Sequence, residues 1–181
     1  MTLLDAAQAY QELMKYRYVF LLGRKGIAET LTLEFTKEAF HHLAGLHKIG
    51  IARTRNKKYA LEYILENDDV PEIENRDILI DRWNCICSLK EMIESNRIVF
   101  RMQKKEFPGS QIKADYLMTK EQCIFFIKDS EPLSIFTARE DQLKNAARNL
   151  RLTTLKIDRE EIDSGTIETL YEFKKNEPSE K

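Results

Sequence analysis

The chain has 181 residues, of which 43% are hydrophobic and 33% charged, a composition typical of one folded globular domain and not of a disordered or fibrous protein. Its formal net charge of −1 argues against a protein that coats nucleic acid by bulk attraction. No stretch provides the run of about eighteen uncharged apolar residues that a membrane helix needs, and Asp5 and Glu12 interrupt the N-terminal segment in which a signal peptide would be apolar. We therefore expect a cytoplasmic protein that does not act at a membrane.

The N-terminal part of the chain is predicted to form a helix and then a hairpin. Apolar side chains recur at steps of three and four over residues 1–17, which predicts an amphipathic helix. Residues 18–22 and 27–35 are apolar or alternating runs separated by Gly-Arg-Lys-Gly. The two glycines of this segment allow the positive φ angles that a tight hairpin turn needs.

The middle of the chain is predicted to be helical. Thr36 can cap a helix that runs to residues 49–50, and Glu38 in its first turn complements the helix dipole. A further helix fits residues 56–65. A long helix fits residues 77–95, and its apolar stripe consists of Leu79, Trp83, Ile86 and Ile93.

The remaining sequence predicts antiparallel strands. Turn-forming segments separate short β-type runs at residues 97–102, 115–119, 123–127, 133–136, 150–157 and 166–173. Residues 138–149 fit either a short helix or an ordered loop. The order of helix, hairpin, helices and strands indicates the α+β class. No repeat or linker divides the chain, so we expect a single domain over residues 1–174 and a flexible polar tail at 175–181.

The three cysteines, Cys85, Cys87 and Cys123, do not predict a disulfide framework. They are few and odd in number, and we expect them to be reduced and structural. A Cys-x-Cys pair without a second pair or a nearby histidine is a weak metal signal.

All three histidines lie close together, at His41, His42 and His47. On a helical wheel of 100° per residue, His42 and His47 fall on opposite edges of the buried stripe, while His41 points away from it with Lys48. These spacings do not converge as a zinc site requires, so we predict three separate environments and no metal site. Gly45 within this helix costs about 1 kcal/mol relative to alanine, so either another group needs the space or the helix frays there.

The stretch around the histidines resembles a known family. Its spacing Phe-x-His-Leu-x-Gly-Leu-x-Lys follows a run that ends in TLTLEF and is similar to that of the phage-associated nuclease-like domains of the Barnase, EndoU, colicin and RelE-like group. The later segments YLMTKEQCIFFIKD, PLSIFTA and NLRLTTLKID resemble the terminal strands of that group. The resemblance extends over residues 18–160, and its motif residues are Phe40, His42, Leu43, Gly45, Leu46 and Lys48.

The resemblance implies a small α+β fold with a curved antiparallel sheet in the C-terminal half, whose concave face is a metal-independent ribonuclease site in many relatives. It also implies a phage or mobile-element origin and a toxin that cleaves RNA. We expect no cofactor, and a catalytically degenerate member would have a protein partner such as an antitoxin. Cleaving RNA without a metal requires a base for the 2′-hydroxyl, an acid for the 5′-oxygen and cations for the phosphorane charge. Histidine, lysine and arginine can supply these functions.

The candidate site residues lie on the histidine motif and on a later strand. His42 is the first catalytic candidate because it belongs to the motif and lies between core and surface, and Lys48 follows it within residues 41–58, which hold no acidic side chain. Ser134 and Thr137 are catalytic candidates by position, although strand alternation on a polar face also places them there. The candidate substrate-binding residues are Arg53, Arg55, Arg139 and His47. Since all histidines lie on one predicted helix, a pair of histidines on separate elements is excluded.

Two other functions fit the same sequence. A catalytically degenerate member of the group would bind RNA or a protein partner without cleavage, using the basic stretch 48–58 and the acidic stretch 62–81. A DNA-binding regulator would use the helices on either side of Gly50 as a helix-turn-helix, but the β-rich second half has no role in that scheme. The first hypothesis is therefore a nuclease that acts on RNA.

Overall fold

The computed structural model describes residues 1–48, 56–67, 76–103, 107–108 and 110–174, with the backbone alone for residues 76–78. Its helices are α1 (Leu3–Leu13), α2 (Lys37–Leu43), α3 (Ala60–Glu66), α4 (Arg76–Cys87), α5 (Leu89–Ser95) and α6 (Glu140–Ala146), with a 3₁₀ turn at Leu46–Lys48. Its strands are β1 (Tyr16–Arg24), β2 (Ile27–Glu34), β3 (Ile98–Arg101), β4 (Tyr116–Lys120), β5 (Cys123–Lys128), β6 (Glu131–Thr137), β7 (Leu150–Glu161) and β8 (Ile167–Glu172). This arrangement confirms the predicted α+β class.

The first helix is shorter than its periodicity predicts. It begins at a capping box in which the Thr2 side chain accepts from the backbone of Asp5 and the Asp5 carboxylate accepts from the backbone of Thr2. It ends before residue 17 because Tyr16 already pairs with β7 in the sheet. None of the helices in the described ranges is long and apolar enough to cross a membrane.

The long helix predicted over residues 77–95 is two helices, α4 and α5. They are separated at Ser88, whose hydroxyl donates back to the carbonyl of Cys85 at 3.1 Å, a contact of the kind that bends helices. The predicted apolar stripe is nevertheless confirmed, since both helices bury it. Its buried residues are Leu79, Trp83, Ile86 and Ile93.

The hairpin between β1 and β2 turns at two residues with positive φ. Lys25 has φ 47° and Gly26 has φ 82°, as a type I′ turn requires. The prediction that both glycines form the turn is wrong for Gly23, which lies within β1. A Cβ atom at Gly23 would lie 2.6 Å from Cδ1 of Leu155, so this glycine leaves room for a side chain of β7.

The eight strands described here form one antiparallel sheet. Seven of them follow the order β2-β1-β7-β3-β4-β5-β6, and β8 also pairs with β7. The 12-residue strand β7 pairs with β1 along one edge and with β3 and β8 along the other. The predicted C-terminal sheet therefore also contains the N-terminal hairpin.

The two borders of the sheet, β2 and β6, approach each other at one end. The backbone N–H of Glu34 donates to the carbonyl of Ser130, in the turn between β5 and β6, at 3.0 Å. The ring of Phe35 stacks on that of Phe125 with a centroid distance of 6.5 Å. These contacts curl the sheet, which confirms the expected curvature. Helix α2, which directly follows β2, packs against β6.

The curled sheet carries an apolar core on each face. The core on the inner face packs Tyr10 of α1, Phe40 of α2 and Trp83 of α4 against the strands, and burial of this surface is the main stabilising contribution to the fold. A smaller core on the outer face lies under α6 and the loop before β4, around Phe107 and Phe126. Because the inner face is filled with apolar side chains, polar sites lie at the borders of the sheet.

A disulfide joins Cys85 of α4 to Cys123 at the start of β5, with a Cα–Cα distance of 6.0 Å. The prediction that all cysteines are reduced is therefore wrong for this pair, while Cys87 is free. The two partners are 38 residues apart in the chain, and only the packing of α4 against the sheet brings them together. Since disulfides are uncommon in a reducing cytoplasm, a cytoplasmic location stays a prediction.

Candidate functional site

The histidines form one group instead of three separate environments. Helix α2 ends before Gly45, whose φ of 73° turns the chain into the 3₁₀ turn and brings His47 back over α2. The rings of His42 and His47 are stacked at a centroid distance of 5.2 Å and an interplanar angle of 17°. The ring of His41 lies 6.4 Å from that of His47. The helical wheel fails here because it assumes an unbroken helix beyond Gly45.

Two further expectations about the histidines are wrong. His41, predicted to point to solvent, is buried with 4% exposure, because α2 contacts both α3 and β6. His42 and His47 lie on separate elements, α2 and the 3₁₀ turn, so a histidine pair on two elements is present after all. Two imidazoles therefore meet in one site.

Gly45 is needed for both its conformation and its space. A Cβ atom there would lie 2.7 Å from Cδ2 of Leu79 and 3.6 Å from Cδ of Arg82. The expectation that another group approaches this glycine is confirmed, and the group consists of two side chains of α4. Helix α4 thus packs closely against the end of α2.

Arg82 of α4 is a residue that sequence reasoning missed. Its Nη1 lies 3.5 Å from the carbonyl oxygens of both His42 and Leu43, where a cation complements the C-terminal carbonyls of a helix. Next to it, Nε1 of Trp83 donates to the carbonyl of Ala44 at 3.2 Å. The end of α2, and with it the backbone that carries His42, is held by these two side chains.

His42 and Ser134 line one cavity of about 380 Å³ between α2 and the β6 border of the sheet. We call this cavity the His42 pocket. Lys113, from the loop before β4, and Lys128, at the end of β5, contribute two cations. The other lining residues are Ser110, Gln111, Ile112 and Leu133. Sequence reasoning missed both lysines, because each lies far from the histidine motif in the chain.

The pKa of His42 is lowered, first by burial and then by the positive charges of Arg82, Lys57, His41 and Lys48. Although part of the ring is exposed to solvent, the neutral form therefore predominates near pH 7. Burial, and after it the neighbouring His42, also lowers the pKa of His47. A neutral imidazole beside cations is suited to accept a proton from a substrate that the cations hold.

The other predicted residues are placed less centrally. Thr137 contacts α4, with its Oγ1 3.5 Å from the Asp81 carbonyl oxygen and 3.5 Å from Sγ of Cys85. Arg139 precedes α6 and pairs with Asp141 at 3.4 Å. Neither Thr137 nor Arg139 is among the described residues that line the His42 pocket.

Three predicted cations remain. Lys48 is exposed at the end of the 3₁₀ turn, and its charge contributes to the lowered pKa of His42. Arg53 and Arg55 lie outside the described residues. The histidine motif and β6 therefore do meet at one cavity, through His42 and Ser134.

A second cavity, of about 540 Å³, lies beside β2; we call it the β2 cleft. Within it the carboxylate of Glu29 accepts from Nη1 of Arg101 at 2.9 Å and from the hydroxyl of Tyr116 at 3.3 Å. Burial, followed by the charge of Glu29, raises the pKa of Tyr116. The full set of lining residues is Glu29, Thr30, Leu31, Thr32, Arg101, Met102, Asp115, Tyr116, Asp129 and Ser130.

Sequence reasoning did not find this polar cluster, because Glu29, Arg101 and Tyr116 come from three strands far apart in the chain.

Within the described residues, no group of three or more His, Cys, Asp or Glu side chains could hold a metal ion.

Comparison with known proteins identifies the family. A family model described as phage-Barnase-EndoU-ColicinE5/D-RelE like nuclease4 matches residues 2–176, which extends the resemblance from the motif to nearly the whole chain. No curated protein and no solved structure matches. Because the matched region includes the helices, the hairpin and all the strands, the chain belongs to this family of phage-type nuclease domains.

Proposed function

We propose that the chain is an endoribonuclease that cleaves RNA by metal-independent acid–base chemistry in the His42 pocket. The observation that carries the proposal is that a histidine of lowered pKa shares one cavity with two lysines. Family membership supports nuclease activity. The substrate class and the chemistry are inferences from the side chains.

In this reaction the neutral imidazole of His42 takes the proton of the 2′-hydroxyl, and the resulting oxyanion attacks the adjacent phosphorus. Lys113 and Lys128 hold the phosphate and offset the charge that builds up on its oxygens. The leaving 5′-oxygen needs a proton from a second group. Because its lowered pKa leaves His47 mostly neutral, our candidate donor is the ammonium group of one of the two lysines that line the pocket, and Ser134 is a candidate hydrogen-bond partner of the phosphate.

Charge favours the His42 pocket over the β2 cleft as the place where RNA binds. The residues that line the pocket carry two lysines and no carboxylate. The β2 cleft has the carboxylates of Glu29, Asp115 and Asp129 against the single guanidinium of Arg101. A phosphodiester is attracted to the first surface and repelled by the second.

The proposal includes a role as a toxin, because cleavage of cellular RNA stops protein synthesis. Expression of the full chain should arrest bacterial growth, and the His42→Ala variant at equal protein level should not. If both arrest growth equally, toxicity has another cause. If neither does while RNA is cleaved in vitro, the toxin role alone is lost.

The decisive experiment incubates the purified chain with total RNA in the presence of EDTA. We expect fragments that end in 2′,3′-cyclic phosphate, since attack by the 2′-hydroxyl leaves that product. The variants His42→Ala and Lys15→Ala form a matched comparison, because Lys15 is an exposed lysine that pairs with Glu12 at the end of α1. Intact RNA at high protein concentration, or full activity of His42→Ala, would contradict the proposal.

A further inference from the structure

The β2 cleft runs along the edge of a strand. Four consecutive residues of β2, from Glu29 to Thr32, line it, although neighbouring side chains of a strand point to opposite faces of the sheet. A single cavity can contact all four only if it lies against the backbone edge. This edge is the border of the sheet, because among the described strands β2 pairs with β1 alone.

The hairpin register shows which backbone groups face the cleft. Arg24 and Ile27 close the two-residue turn, and in hairpins of this type the closing pair is hydrogen-bonded. Along an antiparallel ladder, hydrogen-bonded and non-hydrogen-bonded pairs alternate. Ala28, Thr30 and Thr32 therefore direct their N–H and C=O groups away from β1. Glu34, the next residue in this series, does so too, since its N–H donates to Ser130.

The edge is open next to that contact. Within the described residues, no backbone group outside β2 bonds to the edge groups of Thr30 or Thr32, and Ala28 and Thr30 are exposed. The hydrogen bond between Glu34 and Ser130 closes one end of the β2 cleft. An unpaired edge of this kind is a template for a further strand.

The charge of the cleft wall that faces β2 indicates which side chains an added strand would carry. Asp129 is 80% exposed in its side chain, and its backbone N–H donates to the carboxylate of Asp115 at 3.1 Å. The Glu29 carboxylate is offset by Arg101, and that of Asp129 lies 4.0 Å from Nζ of Lys128. Three carboxylates against these two cations still leave the cleft acidic. Basic side chains along an added strand would complement them.

We propose that the β2 cleft is a docking site for an extended, basic segment of a partner protein, which adds to β2 as a ninth strand. Main-chain hydrogen bonds to Thr30 and Thr32 supply affinity, and Asp115 and Asp129 select for lysine or arginine. The cleft shares no lining residue with the His42 pocket, although Lys128 of the pocket pairs with Asp129 of the cleft. Its occupancy does not require the proposed cleavage reaction.

The test uses two labelled synthetic peptides of about ten residues, one alternating lysine and threonine and one alternating glutamate and threonine. We expect the basic peptide to bind the full chain, measured by fluorescence anisotropy, and to slow amide hydrogen exchange at Thr30 and Thr32, measured by NMR. The Thr30→Pro variant, which lacks the edge N–H, should bind at least about tenfold more weakly. The matched Thr30→Val variant keeps that N–H and should bind as the unmodified chain does.

A second variant keeps the test informative if Thr30→Pro fails to fold. Asparagine tolerates the positive φ of 50° at position 129, so Asp129→Asn should fold. It should weaken binding of the basic peptide about two- to fivefold. Equal binding of the acidic peptide, or protection outside β2, would overturn the proposal. So would concentration-dependent protection of Thr30 without peptide, because the occupant would then be a second copy of the chain.

Discussion

The His42 pocket and the β2 cleft lie at the two borders of one curled sheet, but they differ in charge and in what forms them. The pocket is formed by side chains from α2, β5, β6 and the loop before β4, and it is basic. The cleft exposes a backbone edge and is acidic. Helix α2 contributes to the difference, because it packs against β6 and carries His42 to the pocket. One border thus gains a histidine, and the other keeps free hydrogen-bonding groups.

The largest expected effect is on kcat, which should fall for a variant in the His42 pocket and not for one in the β2 cleft. His42→Asn removes the proposed base and should reduce kcat for an RNA oligonucleotide by about a hundredfold or more. Glu29→Gln keeps the shape of the β2 cleft and should change kcat less than about twofold. Single-turnover kinetics with both variants measures this difference. If Glu29→Gln abolishes cleavage and His42→Asn does not, the reaction takes place at the other border.

Gly45, next to the His42 pocket, and Gly26, next to the β2 cleft, should differ in how much they contribute to the free energy of unfolding. Gly45→Ala should lower the free energy of unfolding by about 2–4 kcal/mol, because it combines a left-handed backbone with a Cβ atom that collides with Leu79. Gly26→Ala, in the turn that leads into β2, meets open space and should cost only about 1–2 kcal/mol. Urea unfolding of both variants gives the comparison. Equal losses would mean that the contact with α4 is not tight.

Substrate affinity should respond to a cation in the pocket and not to the one in the cleft. Lys128→Ala should raise KM for an oligonucleotide about three- to tenfold and reduce the salt dependence of binding. It should also lower kcat, because Lys128 offsets charge that builds up during the reaction. Arg101→Ala, in the β2 cleft, should leave KM unchanged. A larger KM effect for Arg101→Ala would show that RNA crosses the acidic border instead.

The smallest expected effect concerns the protonation of His42. Removing the positive charge of Arg82 in Arg82→Gln makes the protonated imidazole less unfavourable, so the pKa of His42 should rise, as followed by NMR titration of the ring. The Tyr116 hydroxyl in the β2 cleft serves as the control, and its pKa should not move.

The same titration has a consequence for stability. Because the pKa of His42 in the folded chain lies below its unfolded value of about 6.5, the folded state binds fewer protons than the unfolded state between those two values. Its contribution to stability is therefore fully present above about pH 6.5 and is lost as the pH falls through the folded pKa. In Arg82→Gln this loss should be smaller. A pKa of His42 that does not move would mean that burial alone sets it.

Periodicity was sufficient to predict the fold class, since α1, the hairpin, the apolar stripe of α4 and α5 and the strands all follow local patterns. The helical wheel fails at Gly45, because it assumes an unbroken helix. Gly45 follows the last residues of α2 in a left-handed conformation, and the side chains of α4 that pack against it leave no room for a Cβ atom. The stacking of His42 on His47 follows from this turn.

The residues that sequence reasoning missed are brought together by long-range pairing alone. Lys113 and Lys128 join His42 only through the packing of α2 against β6. Glu29 reaches Arg101 and Tyr116 because the sheet curls. Family resemblance pointed to His42 and to β6, but it could not identify which cations of a chain with 29 lysines and arginines meet there.

The disulfide between Cys85 and Cys123 changes the covalent connectivity of the chain. It closes residues 85–123 into a covalent ring. In the chain-entropy model, this closure stabilises the folded state by about 4 kcal/mol. The wall of the His42 pocket at residues 110–113 lies inside this ring, whereas Lys128 and Ser134 lie outside it. A single proteolytic cut within the ring leaves one molecule whose pocket wall stays tethered to α4, whereas a cut outside the ring yields two separable pieces.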